Sequence, residues 1–119
     1  MLRKDMKLIK EIVRQLSTCK EIVKVIAYGS RVRGDNRIDS DYDILIIVNH
    51  KDRSIKNKII DIVYSYELEK DISISIKILS THEFKTNESL GSPFIKSVNE
   101  EGITIYDAEQ RRKKEPCPI

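Results

Sequence analysis

Cysteine, long apolar runs and a surplus of one charge are all scarce in this 119-residue chain, and each scarcity excludes a class of protein. The two cysteines, Cys19 and Cys117, lie far apart and lack the spacing of a metal site, so a reduced, cytoplasmic setting is expected. No segment approaches 18 consecutive apolar residues, which argues against a membrane span. Residues 1–13 carry charges among their apolar positions, and we therefore expect no secretory signal there.

The charge balance is nearly even, with 22 Lys and Arg against 19 Asp and Glu and a formal net charge of +3. Charges of both signs are spread along the chain, whereas a nucleic-acid-binding protein usually carries a stronger basic stripe. Apolar residues make up 39% of the chain, which is enough for one domain to bury a core without disulfides. We expect one domain at 1–106, followed by a polar, disordered tail at 107–119.

Hydrophobic periodicity predicts alternating helices and strands. Helical spacing covers residues 2–18, a segment from Asp52 or Ser54 to Glu69, and residues 93–102. Apolar runs or strict alternation predict strands at 23–28, 41–48, 72–79 and 103–106. Residues 30–35 are expected to form a short helix or turn. The polar segment 81–92 is expected to be a loop with a short stretch of helix. The chain is therefore assigned to the α/β class.

The most informative segment links the first two predicted strands and reads GSRVRGDNRIDSDYDILIIV from Gly29 to Val48. Because residues i and i+2 on a strand share a face, Asp41 and Asp43 should project together. Two ionised carboxylates this close repel each other unless a cation lies between them. Mg²⁺ takes oxygen ligands and keeps waters and substrate phosphates in its shell, so we predict a magnesium site here.

The start of the same segment has the residues needed to bind phosphate. Gly29 lets the backbone approach a ligand closely, and Ser30 can donate a hydrogen bond to a phosphate oxygen. Arg31 and Arg33 can clamp phosphate in a bidentate way. Taken singly, each piece has a plainer interpretation, since Asp near a strand start is often only a turn or cap residue and the arginines could belong to an ordinary basic loop.

The whole segment resembles the signature of the minimal nucleotidyltransferases (MNT) of the DNA polymerase β superfamily. That pattern is Gly-Ser, a spacer often containing Arg-x-Arg-Gly and Ser-Asp, and then Asp-x-Asp on a strand. The resemblance implies an α/β (α+β), polymerase β-like fold with a small mixed sheet and helices packed on one face. It also implies roles for individual residues: nucleotide binding by Gly29, Ser30, Arg33 and Ser40, and catalysis with Mg²⁺ binding by Asp41 and Asp43.

The family places a third carboxylate on a neighbouring strand. In the predicted strand 72–79, the isoleucines share one face, and Asp71 precedes the polar face that carries Ser73, Ser75 and Lys77. Asp71 is therefore the candidate third catalytic acid. The alternative is that Asp71 only caps the strand, in which case the site would bind nucleotide without turning it over efficiently.

The resemblance implies a metal-dependent enzyme that moves a nucleoside monophosphate, AMP from ATP, to an acceptor hydroxyl. The chain has no room for an extra helical domain to hold the acceptor, so we expect a macromolecular acceptor. Small relatives work as antitoxins with a separate helical, HEPN-like partner protein, and such a partner is expected here, without a requirement for nucleic acid. Two alternatives remain open: a catalytically weak nucleotide-binding antitoxin module, and a small nucleic-acid-binding α/β domain.

Overall fold

The fold is a four-stranded mixed sheet with helices on both faces. The computed structural model describes residues 2–35, 37 and 40–109. The elements in chain order are α1 (Arg3–Leu16), β1 (Ile22–Tyr28), α2 (Ser30–Arg33), β2 (Tyr42–Val48), α3 (Arg53–Lys70), β3 (Ile74–Ser80), α4 (Thr81–Ser89), α5 (Pro93–Glu101) and β4 (Ile103–Asp107). The strand order is β3-β2-β1-β4. β1 pairs antiparallel with both β2 and β4, and β2 pairs parallel with β3. The predicted mixed sheet is confirmed.

The larger apolar core lies between one face of the sheet and helices α1 and α3. α1 contributes apolar residues at helical spacing, among them Ile9, Ile12 and Leu16, each at most 1% exposed. The same core takes alternate residues of the two central strands, such as Val25 and Ile44. This pattern is what an amphipathic helix on a pleated sheet requires, because helix and strand each present one apolar face. The predicted α1 and α3 are confirmed, with Asp52 capping α3 by accepting from Ile55 N–H at 2.9 Å.

The other face of the sheet is also covered, by a smaller apolar cluster. Leu45 and Ile47 of β2 point into it together with Ile26 of β1 and Val98 of α5. The resemblance implied helices packed on one face, and the structure adds α5 on the other face. The reason is visible in the continuous apolar run from Ile44 to Val48, because strands buried on both faces lose their polar alternation.

α4 occupies most of the segment 81–92, where the sequence pattern predicts mainly loop, so that prediction is wrong for Thr81–Ser89. The helix has no buried residue, so it leaves no apolar periodicity to detect. Its start is fixed by a capping box: Ser80 Oγ accepts from Glu83 N–H at 3.0 Å, and Glu83 Oε1 accepts from Ser80 N–H at 3.0 Å. The two reciprocal bonds satisfy donors that a helix start would otherwise leave unpaired.

The strand directions bring three chain segments to one end of the sheet. β1 runs toward that end and stops at Tyr28, while the antiparallel β2 starts there and pairs Asp43 with Tyr28. β3 runs parallel to β2 and also starts there, pairing Ser75 with Asp43.

Among the described residues, no helix is both long and apolar enough to cross a bilayer. β4 includes Asp107, which the sequence had placed in the tail, and the remainder of that tail from residue 110 lies outside the described residues.

Candidate active site

The site is built around Gly29, which ends β1 and directs the chain into α2. Its φ of 84° and ψ of −164° fall in a region that is essentially restricted to glycine. A Cβ at this position would overlap Oδ2 of Asp43 and lie 3.1 Å from its Cγ. The missing side chain therefore leaves a cradle that the Asp43 carboxylate fills, so glycine is needed here both for backbone conformation and for space.

Two carboxylates and one guanidinium share this end of the sheet. Asp43 is half-buried on β2, and the exposed Asp41 directly precedes the strand. Burial raises the pKa of Asp43 above its usual value, the negative charge of Asp41 raises it further, and the positive charge of Arg33 lowers it. The effect of Asp41 on the pKa of Asp43 indicates that the two carboxylates lie near each other, as expected for positions i and i+2 on one face.

Arg33 lies exposed at the end of α2 and is held by two carboxylates. Its Nε donates to Oδ2 of Asp35 at 3.2 Å, and its Nη1 donates to Oε2 of Glu101 on α5 at 3.3 Å. The hydrogen bond to Asp35 is the main cause that raises the pKa of Arg33, and Glu101 adds to it. An incoming anion can replace these partners because exposed ion pairs are weak. Arg33 is thus available to bind a phosphate beside Asp43.

Ser30 begins α2 immediately after the Gly29 turn. Its carbonyl accepts from the N–H groups of Gly34 and Asp35 at 2.9 and 3.2 Å, which closes the short helix. Its hydroxyl makes no hydrogen bond to any other residue that the structure describes, so it can donate to a ligand. Of the predicted nucleotide-binding residues, Gly29 and Arg33 lie near Asp43, and Ser30 directly follows Gly29 at the start of α2.

Arg31 does not have the position that its sequence neighbours suggested. Its side chain is buried, and its Nη1 donates to Oδ1 of Asp5 at 3.1 Å. Its Nε and Nη2 donate to the carbonyl of Ser40 at 3.0 and 2.9 Å, and its guanidinium lies 4.1 Å from the centre of the Tyr42 ring. Tyr42 points to the face opposite Asp43, because side chains alternate along a strand. The expectation that Arg31 clamps phosphate is wrong.

Asp71 also differs from the sequence-based expectation, whereas nucleotide binding by Ser40 stays a prediction. Ser40 Oγ accepts from the backbone N–H of Arg37 at 2.8 Å, and the Ser40 carbonyl faces Arg31, so both groups already serve to shape the loop. Asp71 lies outside β3: it caps the end of α3 with a left-handed φ of 53°, a conformation that Asp tolerates better than most residues. The strand position beside Asp43 holds Ser75 instead.

The remaining candidates fit a divalent cation that receives part of its shell from substrate. Asp41 and Asp43 offer only oxygen atoms, and the cradle at Gly29 fixes one of these carboxylates. Mg²⁺ commonly binds one or two carboxylates and completes its shell with water and phosphate oxygens. Within the described part of the chain, no group of three or more His, Cys, Asp or Glu residues could hold a metal, so a full protein cage is not present there.

Sequence comparison identifies the class of protein that this fold and site define. Residues 6–106 match the model of the nucleotidyltransferase domain. The chain is 36% identical over 101 residues to the "Putative protein adenylyltransferase MJ0141" of Methanocaldococcus jannaschii, covering 82% of this chain and 95% of that protein. The chain therefore belongs to the nucleotidyltransferase domain family, which confirms the resemblance to the minimal nucleotidyltransferases.

Solved structures show the same fold at lower identity. A crystal structure described as a "putative nucleotidyltransferase" from Sulfolobus solfataricus has a TM-score of 0.55 at 22% identity and covers 88% of this chain and 82% of that one. A toxin–antitoxin crystallised with AMP-PNP has a TM-score of 0.57 at 13% identity, covering 91% and 77%. A tri-AMPylated Shewanella oneidensis HEPN toxin in complex with MNT antitoxin matches with a TM-score of 0.50 at 11% identity, covering 91% and 77%. The polymerase β-like fold is thereby confirmed.

Proposed function

We propose that this protein is a magnesium-dependent adenylyltransferase that moves AMP from ATP to a hydroxyl group of a partner protein. The observation that carries the proposal is the cradle at Gly29, where the Asp43 carboxylate lies against the turn that begins α2, with Arg33 near enough to lower its pKa. Family membership supports nucleotidyl transfer as the reaction class. The printed name of the Methanocaldococcus jannaschii relative supports a protein as the acceptor.

Each residue of the site has a part in this reaction. Asp41 and Asp43 would hold Mg²⁺, which when bound offsets the negative charge of the phosphates. The Ser30 hydroxyl donates to a phosphate oxygen. Arg33 gives up its ion pairs with Asp35 and Glu101 and binds the triphosphate, where it stabilises the charge that develops. The acceptor oxygen forms a bond to the α phosphorus as the bond between that phosphorus and the bridging oxygen breaks, and pyrophosphate leaves.

The proton of the acceptor hydroxyl needs a destination. Ser75, not a carboxylate, lies beside Asp43 on β3, and Asp71 lies off the strand at the end of α3. The proton is therefore released to water, or to a base that the acceptor itself supplies. This same observation favours a second candidate function, in which the chain binds ATP as an antitoxin module and transfers AMP only weakly.

The proposed acceptor is a helical partner protein, encoded separately and acting in the cytoplasm. Support comes from the fold neighbours, one of which belongs to a structure of a tri-AMPylated HEPN toxin in complex with MNT antitoxin. The described residues form one sheet of four strands with five helices, so we propose that the acceptor is supplied by a second protein.

The deciding experiment is label transfer from ATP. The purified protein is incubated with Mg²⁺ and with lysate of its host, using ATP labelled in parallel at the α or the γ phosphate. Label on a protein from α-labelled but not γ-labelled ATP is the expected result, since adenylyl transfer retains only the α phosphate. Asp43→Asn should abolish the signal, and Asp61→Asn, on the exposed side of α3, should retain it. ATP binding by calorimetry without any label transfer would favour the weak antitoxin module instead.

A further inference from the structure

Three buried side chains from three different elements meet beneath the loop that leads to Asp41. Asp5 of α1 is fully buried, and its Oδ1 accepts from Arg31 Nη1 at 3.1 Å and from the Tyr42 hydroxyl at 2.8 Å. The Arg31 guanidinium stacks over the Tyr42 ring at 4.1 Å. α1, α2 and the first residue of β2 are thereby joined by one polar network.

The network holds the residues on both sides of Asp41, namely the backbone carbonyl of Ser40 and the side chain of Tyr42. Ser40 precedes Asp41, and its carbonyl accepts two N–H groups of Arg31, at 3.0 and 2.9 Å. Tyr42 follows Asp41, and its ring packs against the same guanidinium. A planar guanidinium donates in a fixed fork geometry, so these contacts restrict both the position and the rotation of the intervening residue.

Stability alone is a poor explanation for this arrangement. Removing a carboxylate and a guanidinium from water offsets much of their attraction, and apolar residues of similar volume often stabilise as well or better. The Oδ2 atom of Asp5 has no hydrogen-bond partner among the described residues, which adds to the cost. A network that orients a specific carbonyl accounts for the polar groups better than packing does.

We infer that Arg31 is a positioning residue. By donating two hydrogen bonds to the Ser40 carbonyl from the opposite face of the sheet, it orients the Asp41 carboxylate toward the cation. The consequence for catalysis rests on the proposed function, whereas the consequence for the geometry of Asp41 does not. Outer-shell partners of this kind typically change metal affinity or activity by about 10–100-fold when they are mutated.

The test is Arg31→Lys, which keeps a positive charge but loses the forked grip on Ser40. Mn²⁺ serves as the probe, titrated into the full chain and followed by electron paramagnetic resonance. We expect Mn²⁺ binding about 10–100-fold weaker than in the wild type. We expect kcat for AMP transfer to fall while KM for ATP stays unchanged, as befits a residue that does not contact the nucleotide. Arg14→Lys, on the exposed side of α1, is the matched control and should behave as wild type.

A metal-independent readout separates the inference from the proposed function. The Ser40 N–H donates to the carbonyl of Arg37 at 3.1 Å, so its exchange reports whether the loop is held. Amide hydrogen exchange by NMR should accelerate at Ser40 in Arg31→Lys and remain slow at Leu45 in the middle of β2, because only the loop is released. Unchanged exchange at Ser40 together with unchanged Mn²⁺ affinity would overturn the inference, even if the wild type transfers AMP. Conversely, a wild type that transfers nothing would overturn the proposed function while a faster Ser40 amide still supported the positioning role.

A second variant keeps the inference testable if Arg31→Lys fails to fold. Tyr42→Phe retains the ring beneath the guanidinium and removes only the hydroxyl that donates to Asp5. It should also weaken Mn²⁺ binding, but by less than Arg31→Lys does, with a smaller acceleration at the Ser40 amide. A rise in the KM for ATP in Arg31→Lys, with Mn²⁺ affinity unaltered, would instead identify Arg31 as a phosphate ligand and would refute the positioning role.

Discussion

Replacing Gly29 with alanine tests the cradle on which the candidate site depends. Gly29 has a φ of 84° and a ψ of −164°, and a non-glycine residue in this region costs about 1–3 kcal/mol. The new Cβ would also overlap Asp43 Oδ2, so the carboxylate must turn away from the turn. The free energy of unfolding should therefore fall by at least the backbone cost, and Mn²⁺ binding and AMP transfer should be lost.

Gly34→Ala is the matched control for the backbone contribution. Gly34 has a φ of 83°, yet no heavy atom lies within 4 Å of a Cβ built there. Left-handed backbone in a non-glycine residue costs roughly 1–2 kcal/mol, so this variant should lose stability without a clash. Urea denaturation measures both losses, and Mn²⁺ titration should show binding intact in Gly34→Ala.

A double-mutant cycle isolates the steric part of the Gly29→Ala effect. In an Asp43→Ala background the overlapping carboxylate is gone, so the same glycine substitution should cost less. The coupling free energy should fall within about 0.5–3 kcal/mol, the usual range for residues in direct contact. A Gly29→Ala variant that binds Mn²⁺ like the wild type, or a cycle with no coupling, would refute the cradle.

Three further predictions concern the charges of the site. Ser75→Asp adds a carboxylate beside Asp43, and Mn²⁺ titration should show affinity raised roughly tenfold, since a charge pair at ~4 Å is worth about 4 kcal/mol before desolvation. The raised pKa of Asp43 means that the folded state binds the proton more tightly than the unfolded state, so stability without metal should fall as pH rises from about 3.9 through the folded value. Urea denaturation across pH should show that Asp43→Asn removes this decline. Glu101→Gln releases Arg33 from an exposed ion pair, so the stability change should stay below about 1 kcal/mol while the KM for ATP falls.

Each of these predictions has a control and an outcome that counts against it. Lys77→Asp places a carboxylate two residues further along the same face of β3, and an equal gain in Mn²⁺ affinity there would mean that Ser75 has no special position. Identical pH profiles for wild type and Asp43→Asn would contradict the raised pKa. If Glu101→Gln and Arg33→Gln shift the KM for ATP in the same direction, Arg33 does not exchange carboxylates for phosphate.

Short sequence patterns predicted most of the helices and strands, because the residues that define each element lie close together in the sequence. The apolar spacing of α1 and the run after Asp43 in β2 reflect faces that each element must bury, and both are visible within a dozen residues. The Gly29 turn and the i, i+2 carboxylates are equally local. α4 was missed because caps, not buried residues, define it, although Ser80 and Glu83 stand at the capping-box spacing and could have signalled it.

The errors at the site have a different origin, since they depend on contacts distant in sequence. Nothing near Arg31 reveals that Asp5, 26 residues away, would take its guanidinium into the core. Alternation alone predicts a strand at 72–79 directly after Asp71, whereas β3 begins at Ile74 and Asp71 ends α3. Only the parallel register identifies Ser75 as the neighbour of Asp43.

The order of strands in the sheet has a consequence for how the chain folds during its synthesis. β4 comes last in sequence yet pairs with β1, whose Val25 and Ala27 are completely buried in the finished molecule. Before residues 103–107 leave the ribosome, the hydrogen-bonding groups along that side of β1 lack their partner strand. A chain that ends before Ile103 would therefore expose the unpaired edge of β1 to other nascent chains, and exposed strand edges of that kind promote aggregation.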